Sequence, residues 1–378
     1  MNRKAVQTAG YFGAFFTLGA VIASLGPTLS GVASNVNRSP AEVGFLFSIR
    51  SLGYLSGSLL GGYLLERLTS HLVMGPALLL AGLMLFLLPG INFLTLLLLL
   101  LFIIGVSLGA IDVGSNTMLT RLYQRESGPY LNAMYLIAGA GSFLIPLALG
   151  VLDLNSGYLA LALLTAGVGV YLLLTPSPAS PTEEKSQAQG DRQLFYLAVF
   201  CLLAFLFVGI EISYGGWIFT FFIEKSLGVQ QAAYTITSLF WIAITLGRLI
   251  SIPVSTLLEP SVNIFLLLFV GLLSAGLMSL FPEQTWTVWA GTAGVGFGLS
   301  ALFPTTFRHL QRISNLQTSS YGLVWASGSL GGIALPWVIG EAFQELGPVS
   351  LMTITLMAWA LALALFALLS LHHRQDRH

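Results

Sequence analysis

Long apolar runs, broken at short intervals by a few polar residues, make up almost the whole chain. A helix that crosses a bilayer needs about 20 mostly apolar residues. Runs of that kind lie at 8–31, 42–65, 72–90, 92–120, 129–152, 155–174, 194–222, 232–256, 261–281, 285–307, 318–342 and 347–371. The pattern predicts twelve membrane helices with both termini on one side. One stretch breaks it: Pro176 to Gln193 reads PSPASPTEEKSQAQGDRQ. Rich in Pro, Ser and charge, it reads as a flexible linker. The expected organisation is a six-helix bundle over 1–175, a cytoplasmic linker over 176–193 and a second six-helix bundle over 194–378.

Composition supports this picture. The chain is 56% hydrophobic and only 8% charged, where a soluble domain carries about 25% charged residues. The class is therefore an all-α integral membrane protein set in a lipid bilayer. Fifteen Lys and Arg balance fifteen Asp and Glu, so nothing in the net charge points to a nucleic acid. Cys201 is the single cysteine and sits in an apolar run, which leaves no intramolecular disulfide and reads as a small buried hydrophobe. The histidines, His71, His309, His372, His373 and His378, fall at predicted helix ends or in the tail. That argues against a histidine metal cluster or a midplane histidine relay. The start, Asn2-Arg3-Lys4 and then apolar residues, resembles a signal peptide, but Tyr11 to Leu29 is too long for its apolar core and reads as the first membrane helix. The basic residues Arg3, Lys4, Arg67, Arg121, Arg125, Lys185, Arg192, Arg248, Arg308, Arg312, Arg374 and Arg377 fall on the N-terminal side of the predicted spans. Arg38 and Lys225 fall on the other. By the positive-inside rule both termini are cytoplasmic, in a plasma (inner) membrane. With no Ser/His/Asp set, metal-ligand cluster or nucleotide loop in view, neither an enzyme nor a cofactor is expected.

The two halves repeat. Gly19, Gly26 and Gly57 recur as Gly209, Gly216 and Gly247, and Gly141 and Pro146 recur as Gly331 and Pro336, all at an offset of 190. Gly105 and Gly109 match Gly294 and Gly298 at 189. A near-constant offset over four helix pairs indicates two parallel, pseudo-symmetric bundles. Repeated small residues serve helix packing, so unrepeated polar residues are the better functional candidates. At these offsets Asp112 corresponds to Ala301, Glu211 to Val21 and Arg50 to Phe240.

Charges this deep in apolar sequence cost roughly 2.5–3.5 kcal/mol each on insertion scales and mark polar pathways or partners. Asp112 lies near the expected midplane, and Asn116 follows at i+4 on the same helix face. An acid and an amide so placed can grip sugar hydroxyls. Glu211 is followed by Tyr214 and Trp217, whose rings suit a pyranose face, and Trp325 lies in the eleventh span. Trp217 and Trp325 also fit an interfacial belt or interhelix packing, and that reading is preferred for Trp286, Trp289 and Trp337. Asn132 and Tyr135 in the fifth span fit either cavity lining or interhelix contacts. Arg50 and Glu211 are expected at comparable depths, so a bridge between them is a candidate outer gate.

These residues resemble a family. Gly61-Gly62-Tyr-Leu-Leu-Glu66-Arg67 is similar to the loop signature of major facilitator transporters, where such charges lock the cytoplasmic gate. Gly109-Ala-Ile-Asp112-Val-Gly-Ser-Asn116 resembles the helix 4 motif of the fucose:proton symporter family. Val208-Gly-Ile-Glu211-Ile-Ser-Tyr-Gly-Gly-Trp217 resembles a segment of its glucose/galactose branch. With Arg50-Ser-Leu-Gly-Tyr, the chain is similar to the sodium-dependent glucose transporter 1 group. The resemblance implies a transporter moving a hexose or similar small polar solute by alternating access, a sugar:cation symporter working as a monomer. The substrate set would be Asp112, Asn116, Glu211, Tyr214, Trp217, Trp325, Asn132 and Tyr135. Asp112 and Glu211 would take part in coupling to H+ or Na+, and Arg50, Glu66 and Arg67 in gating. The first span lacks the acid found in the fucose symporter, so that protein's proton mechanism does not carry over whole. The alternatives are a proton-coupled efflux carrier for amphipathic compounds and a substrate-sensing receptor of the same fold.

Overall fold

The computed structural model describes residues 3–177, 191–313 and 318–375. Most of the expected linker, 176–193, lies outside these described residues. The helices are α1 (Arg3–Asn35), α2 (Leu46–Arg67), α3 (Ser70–Leu87), α4 (Leu94–Tyr123), α5 (Ser127–Leu149), α6 (Leu154–Leu174), α7 (Asp191–Glu224), α8 (Gln230–Leu257), α9 (Pro260–Leu280), α10 (Thr285–Leu299), α11 (Leu302–Ile313), α12 (Thr318–Leu346) and α13 (Ser350–Gln375). Ten helices among the described residues are long and apolar enough to cross a membrane. Two of the twelve expected spans fall outside that set: α2, rich in Gly and Ser, and the tenth, which is broken into α10 and α11.

The break has a local cause. Gly294, Gly296 and Gly298 lower helix propensity ahead of it. Pro304, on α11, has no N–H for the carbonyl of Ser300, and its ring crowds that same carbonyl. The helix therefore ends at Leu299 and restarts at Leu302.

Connections are short and capped. Asp153 accepts backbone N–H bonds from Asn155 and Ser156 at 3.1 and 3.2 Å and starts α6; the Ser156 side chain first, and then these backbone bonds, hold its carboxyl below the usual range. Between α1 and α2, Glu42 accepts from the Ser39 backbone N–H at 2.8 Å and from Arg38 at 2.9 Å, while the Ser39 hydroxyl accepts from the Glu42 N–H. This reciprocal box pulls the Glu42 carboxyl down to about 2, chiefly through the Ser39 N–H and Arg38.

The chain divides into two compact units, Met1–Thr182 and Glu183–His378. Inside the first, α1 packs along α5, α2 along α4 and α3 along α6. Inside the second, α7 packs along α12, α8 along α10 and α9 along α13. The same three pairings occur in each, with α11 completing the broken span. Glycines make them close: a Cβ on Gly141 would strike the Phe16 carbonyl of α1, and one on Gly331 the Phe205 carbonyl of α7.

These contacts correct the register of the repeat. A Cβ on Gly105 would strike the Arg50 carbonyl on α2; the glycine of α10 that faces α8 in the same way, at the Phe240 carbonyl, is Gly296. Gly57 faces Val106, whereas Gly247 faces Ser300 first and Phe297 next. Gly294 and Gly298, the expected mates of Gly105 and Gly109, instead face Ser274 and Leu267 of α9. The offset for this helix pair is thus 191, and Asp112 corresponds to Phe303 rather than Ala301. For α1 and α7 the Gly141 and Gly331 contacts give 189, so Glu211 corresponds to Ile22 rather than Val21. Matching glycines by sequence leaves the phase free by a residue or two, whereas packing fixes it. The conclusion that no intramembrane charge is repeated survives both corrections.

Candidate functional site

In the first unit α2, α4 and α5 bring four polar side chains together. Asp112 sits on α4, its Oδ2 accepting from the Tyr54 hydroxyl of α2 at 2.6 Å. Asn116, one turn on, donates its Nδ2 to Asp112 Oδ1 at 3.0 Å and to the Asp112 carbonyl at 3.0 Å. Tyr135 of α5 donates to Asn116 Oδ1 at 3.3 Å, with its ring edge-on to Phe15 at 5.3 Å. Gly109 makes the cluster possible: a Cβ there would strike the Tyr54 carbonyl, so α2 and α4 lie close enough for a tyrosine to reach across. All four residues are half-buried. Among the described residues no basic side chain pairs with Asp112. Its carboxylate is held by neutral donors and keeps lone pairs for a proton, a hard cation or a ligand hydroxyl. Sequence reasoning placed Asp112, Asn116 and Tyr135 in one site but passed over Tyr54.

The second unit treats its acid differently. Glu211 Oε1 lies 3.8 Å from Arg248 Nη2, each side chain 28% exposed. Arg248 was expected among the cytoplasmic-side basic residues; it lies nine residues before the end of α8, within a spanning helix. Its Nε donates to the Ser300 carbonyl at 3.3 Å, the acceptor that Pro304 leaves without a helical N–H. One guanidinium therefore satisfies the helix break and pairs with the carboxylate of α7. Within its own unit, Glu211 has Arg248 as its partner. Arg50 is buried and donates from Nη1 to the carbonyls of Ile22 at 2.9 Å and Val21 at 3.4 Å, holding α2 to α1 within the first unit. Each of these two charges thus has an attachment within its own half.

The other candidates separate. Tyr214 is fully buried, its hydroxyl 2.7 Å from Thr292 Oγ1 and 3.1 Å from Met278 Sδ. Trp217 is also fully buried, stacked on Phe343 at 4.9 Å, with Nε1 donating to the Pro336 carbonyl at 3.3 Å. Both pack α7 into the core of its unit, which corrects the expectation that they shape a cavity: spacing along the helix placed them near Glu211, but their rings turn to α9, α10 and α12. Trp325 is half-exposed. Asn132 is exposed on α5, and Glu66 and Arg67 are exposed at the end of α2, where the Arg67 guanidinium lies over the Tyr63 ring at 4.2 Å. Among the described residues no group of His, Cys, Asp and Glu is arranged to hold a metal.

The sequence model of the Major Facilitator Superfamily matches residues 11–336. Sodium-dependent glucose transporter 1 of Xenopus laevis is 30% identical over 354 residues, covering 84% of this chain and 72% of that protein. Its namesake in Homo sapiens is 28% identical over 369 residues, covering 86% and 71%. Among solved structures, the nucleoside transporter NupG superposes with a TM-score of 0.72 at 15% identity, over 97% of this chain and 98% of that one. A POT family transporter in complex with a thioalcohol-conjugated peptide gives 0.77 at 14% identity, over 98% and 96%. These structural likenesses speak to fold alone.

Proposed function

Because the chain belongs to the Major Facilitator Superfamily, and so is a membrane transporter, we propose that it moves a hexose or similar small polar solute by alternating access, as a sugar:cation symporter. The observation that carries this reading is the Tyr54–Asp112–Asn116–Tyr135 cluster. It presents a carboxylate with no counter-cation among the described residues, flanked by an amide and two phenols. Such a set offers donors and acceptors in the density a polyol needs, and an acid free to take up a cation. The printed names of the relatives, glucose transporters dependent on sodium, point the same way.

The two acids divide the work. Asp112, held by neutral groups, takes part in ion coupling and substrate binding. Glu211, already paired with Arg248, ties α7 to the break between α10 and α11 and binds substrate only if that pair loosens. Both termini are cytoplasmic, and the coupling ion is H+ or Na+. The test is counterflow in proteoliposomes with a panel of labelled sugars, with and without Na+ and a pH gradient. Glucose-type hexoses should exchange, and one of the two ions should drive accumulation. Asp112→Asn should abolish accumulation against a gradient while leaving exchange measurable; accumulation that persists in this variant removes Asp112 from coupling. Export of amphipathic compounds with no sugar exchange would support the efflux alternative instead.

A further inference from the structure

His71 is the one histidine in the sequence of the first unit. It stands at the start of α3 and is 3% exposed. Both ring nitrogens are engaged. Nδ1 lies 2.7 Å from the carbonyl oxygen of Thr175, where α6 ends and the chain enters the linker. Nε2 lies 2.9 Å from the Tyr11 hydroxyl of α1, and the two rings stand edge to face at 5.7 Å. A carbonyl only accepts, so Nδ1 carries the ring hydrogen and donates it. Nε2 is then the bare nitrogen and accepts from the tyrosine. These bonds complete the set for a neutral imidazole. Neighbouring bonds tie the first turns of α1 to the same place. Gln7 Nε2 donates to the Pro176 carbonyl at 2.7 Å, and the Tyr171 hydroxyl donates to the Val6 carbonyl at 3.0 Å. Three helices and the root of the linker therefore meet around one imidazole.

An imidazolium does not fit this set. A proton on Nε2 would point at the Tyr11 O–H. The hydroxyl would have to turn and accept, which leaves its own hydrogen unpaired. Tyr11 is 0% exposed, and among the described residues its hydroxyl has no second hydrogen-bond partner. A buried donor left without an acceptor is costly. Nor does a carboxylate stand by to favour the charge. On α1 the titratable groups at this end are Tyr11 and Lys4, and Lys4 lies over the Tyr123 ring. On α6 there is Tyr171, and on α4 Arg121 and Tyr123, whose hydroxyl lies 2.9 Å from Thr8 Oγ1. On α2 there are Glu66 and Arg67, both exposed. None of them forms an ion pair with His71.

We propose that His71 is a proton switch at the end of the first unit where the linker leaves, the cytoplasmic end in the orientation given above. Neutral, it locks α1 and the linker root to α3; protonated at Nε2 from the aqueous phase, it releases both. The locked form holds only the neutral ring, whereas the released histidine takes a proton near its ordinary value of about 6.5. The lock is therefore at full strength above about pH 6.5 and weakens by up to about tenfold per pH unit below it. Its effect reaches the polar cluster along α1. Phe15 follows Tyr11 by one turn and stands edge-on to Tyr135 at 5.3 Å, so release of α1 loosens the support of that ring. The switch is separate from Asp112 and holds whatever solute the chain carries.

The test is hydrogen exchange of the full chain in detergent from about pH 8 to about pH 5, corrected for intrinsic rates. Protection of residues 3–11 and 171–177 should stay level down to about pH 6.5 and then fall about ten- to thirtyfold by about pH 5. Residues 150–157, at the α5–α6 connection, should not change over that range. His71→Asn keeps an amide N–H for the Thr175 carbonyl and has nothing to titrate, so its profile should be level throughout. A level profile in the wild-type chain overturns the proposal, as does an equal loss in residues 150–157. So does a step of wild-type size in His71→Asn. Should His71→Asn fail to fold, His71→Gln takes its place with the same expected profile, and the contrast between the wild-type segments decides the matter without either variant.

Discussion

The Glu211–Arg248 pair makes a prediction with a definite energetic shape. At 3.8 Å, two unit charges attract by about 4 kcal/mol at an effective dielectric near 20 and by about 1 kcal/mol in bulk water. Both side chains are partly exposed, so solvent screening moves the net coupling to about 1–2 kcal/mol. Glu211→Gln removes that term alone. Arg248→Gln removes it together with the Nε–H bond to the Ser300 carbonyl, which is worth about 1.5 kcal/mol at its length of 3.3 Å. The double variant loses both but leaves no lone carboxylate, so it should be no less stable than Arg248→Gln. Thermal unfolding of the purified protein in detergent, arranged as a double-mutant cycle, reads the coupling directly. Pro304→Ala supplies a second axis. It restores a helical N–H to the Ser300 carbonyl, and Arg248→Gln should cost less in that background. Strict additivity of Glu211→Gln and Arg248→Gln, with the double variant falling by the sum, would refute the pairing. An unchanged Arg248→Gln penalty in the Pro304→Ala background would refute the capping role.

Further predictions concern other parts of the chain. Tyr54→Phe removes the 2.6 Å bond to Asp112 without changing volume, and should raise KM for sugar exchange roughly tenfold, the loss of a charge-assisted bond; an unchanged KM would place Tyr54 outside the substrate site. Gly57→Ala puts a Cβ onto the Val106 carbonyl, whereas Gly62→Ala on the same helix meets nothing within 4 Å. The first should lower the melting temperature by an amount equivalent to about 1–3 kcal/mol and the second should leave it level or raise it, and reversal of that order in detergent melts would contradict the α2–α4 packing. Glu42 is held at about 2, below the usual carboxylate value, so its contribution to the α1–α2 connection is complete above that usual value and is lost progressively as pH falls from there through about 2. Hydrogen exchange in residues 36–45 should stay flat from about pH 7 to about pH 5.5 after correction for intrinsic rates and rise below about pH 4; loosening already near pH 6, or none at low pH, would count against the Ser39–Glu42 box.

Much of the architecture was legible because a bilayer imposes its own length and apolarity on each helix. The same constraint made Asp112 and Glu211 visible, since a carboxylate in such a run is conspicuous. Tyr54 carries no such signal: a tyrosine in an apolar helix is unremarkable until a second helix brings an acid to its hydroxyl. Arg248 was assigned to the cytoplasmic side because counting basic residues assumes that they flank spans, and its pairing depends on a carbonyl freed 52 residues away. Tyr214 and Trp217 show the limit of spacing, which gives angle around a helix but not which neighbour that angle meets. The break at Leu299–Leu302 had a sequence cause in Pro304, hidden because the run stays apolar across it.

That break also has a mechanical side. A continuous helix carries tilt from one end to the other; one whose ladder is interrupted, as at the Ser300 carbonyl, does so less well. The upper piece, α10, rests on α8 and α9, while the lower piece, α11, rests on α9 and α7. Arg248 stands at the joint, with one hand on the loose carbonyl and the other on α7. The tenth span can therefore bend as two levers about a shared pivot, with the ion pair as its stop, where its counterpart α4 must move as a single rod.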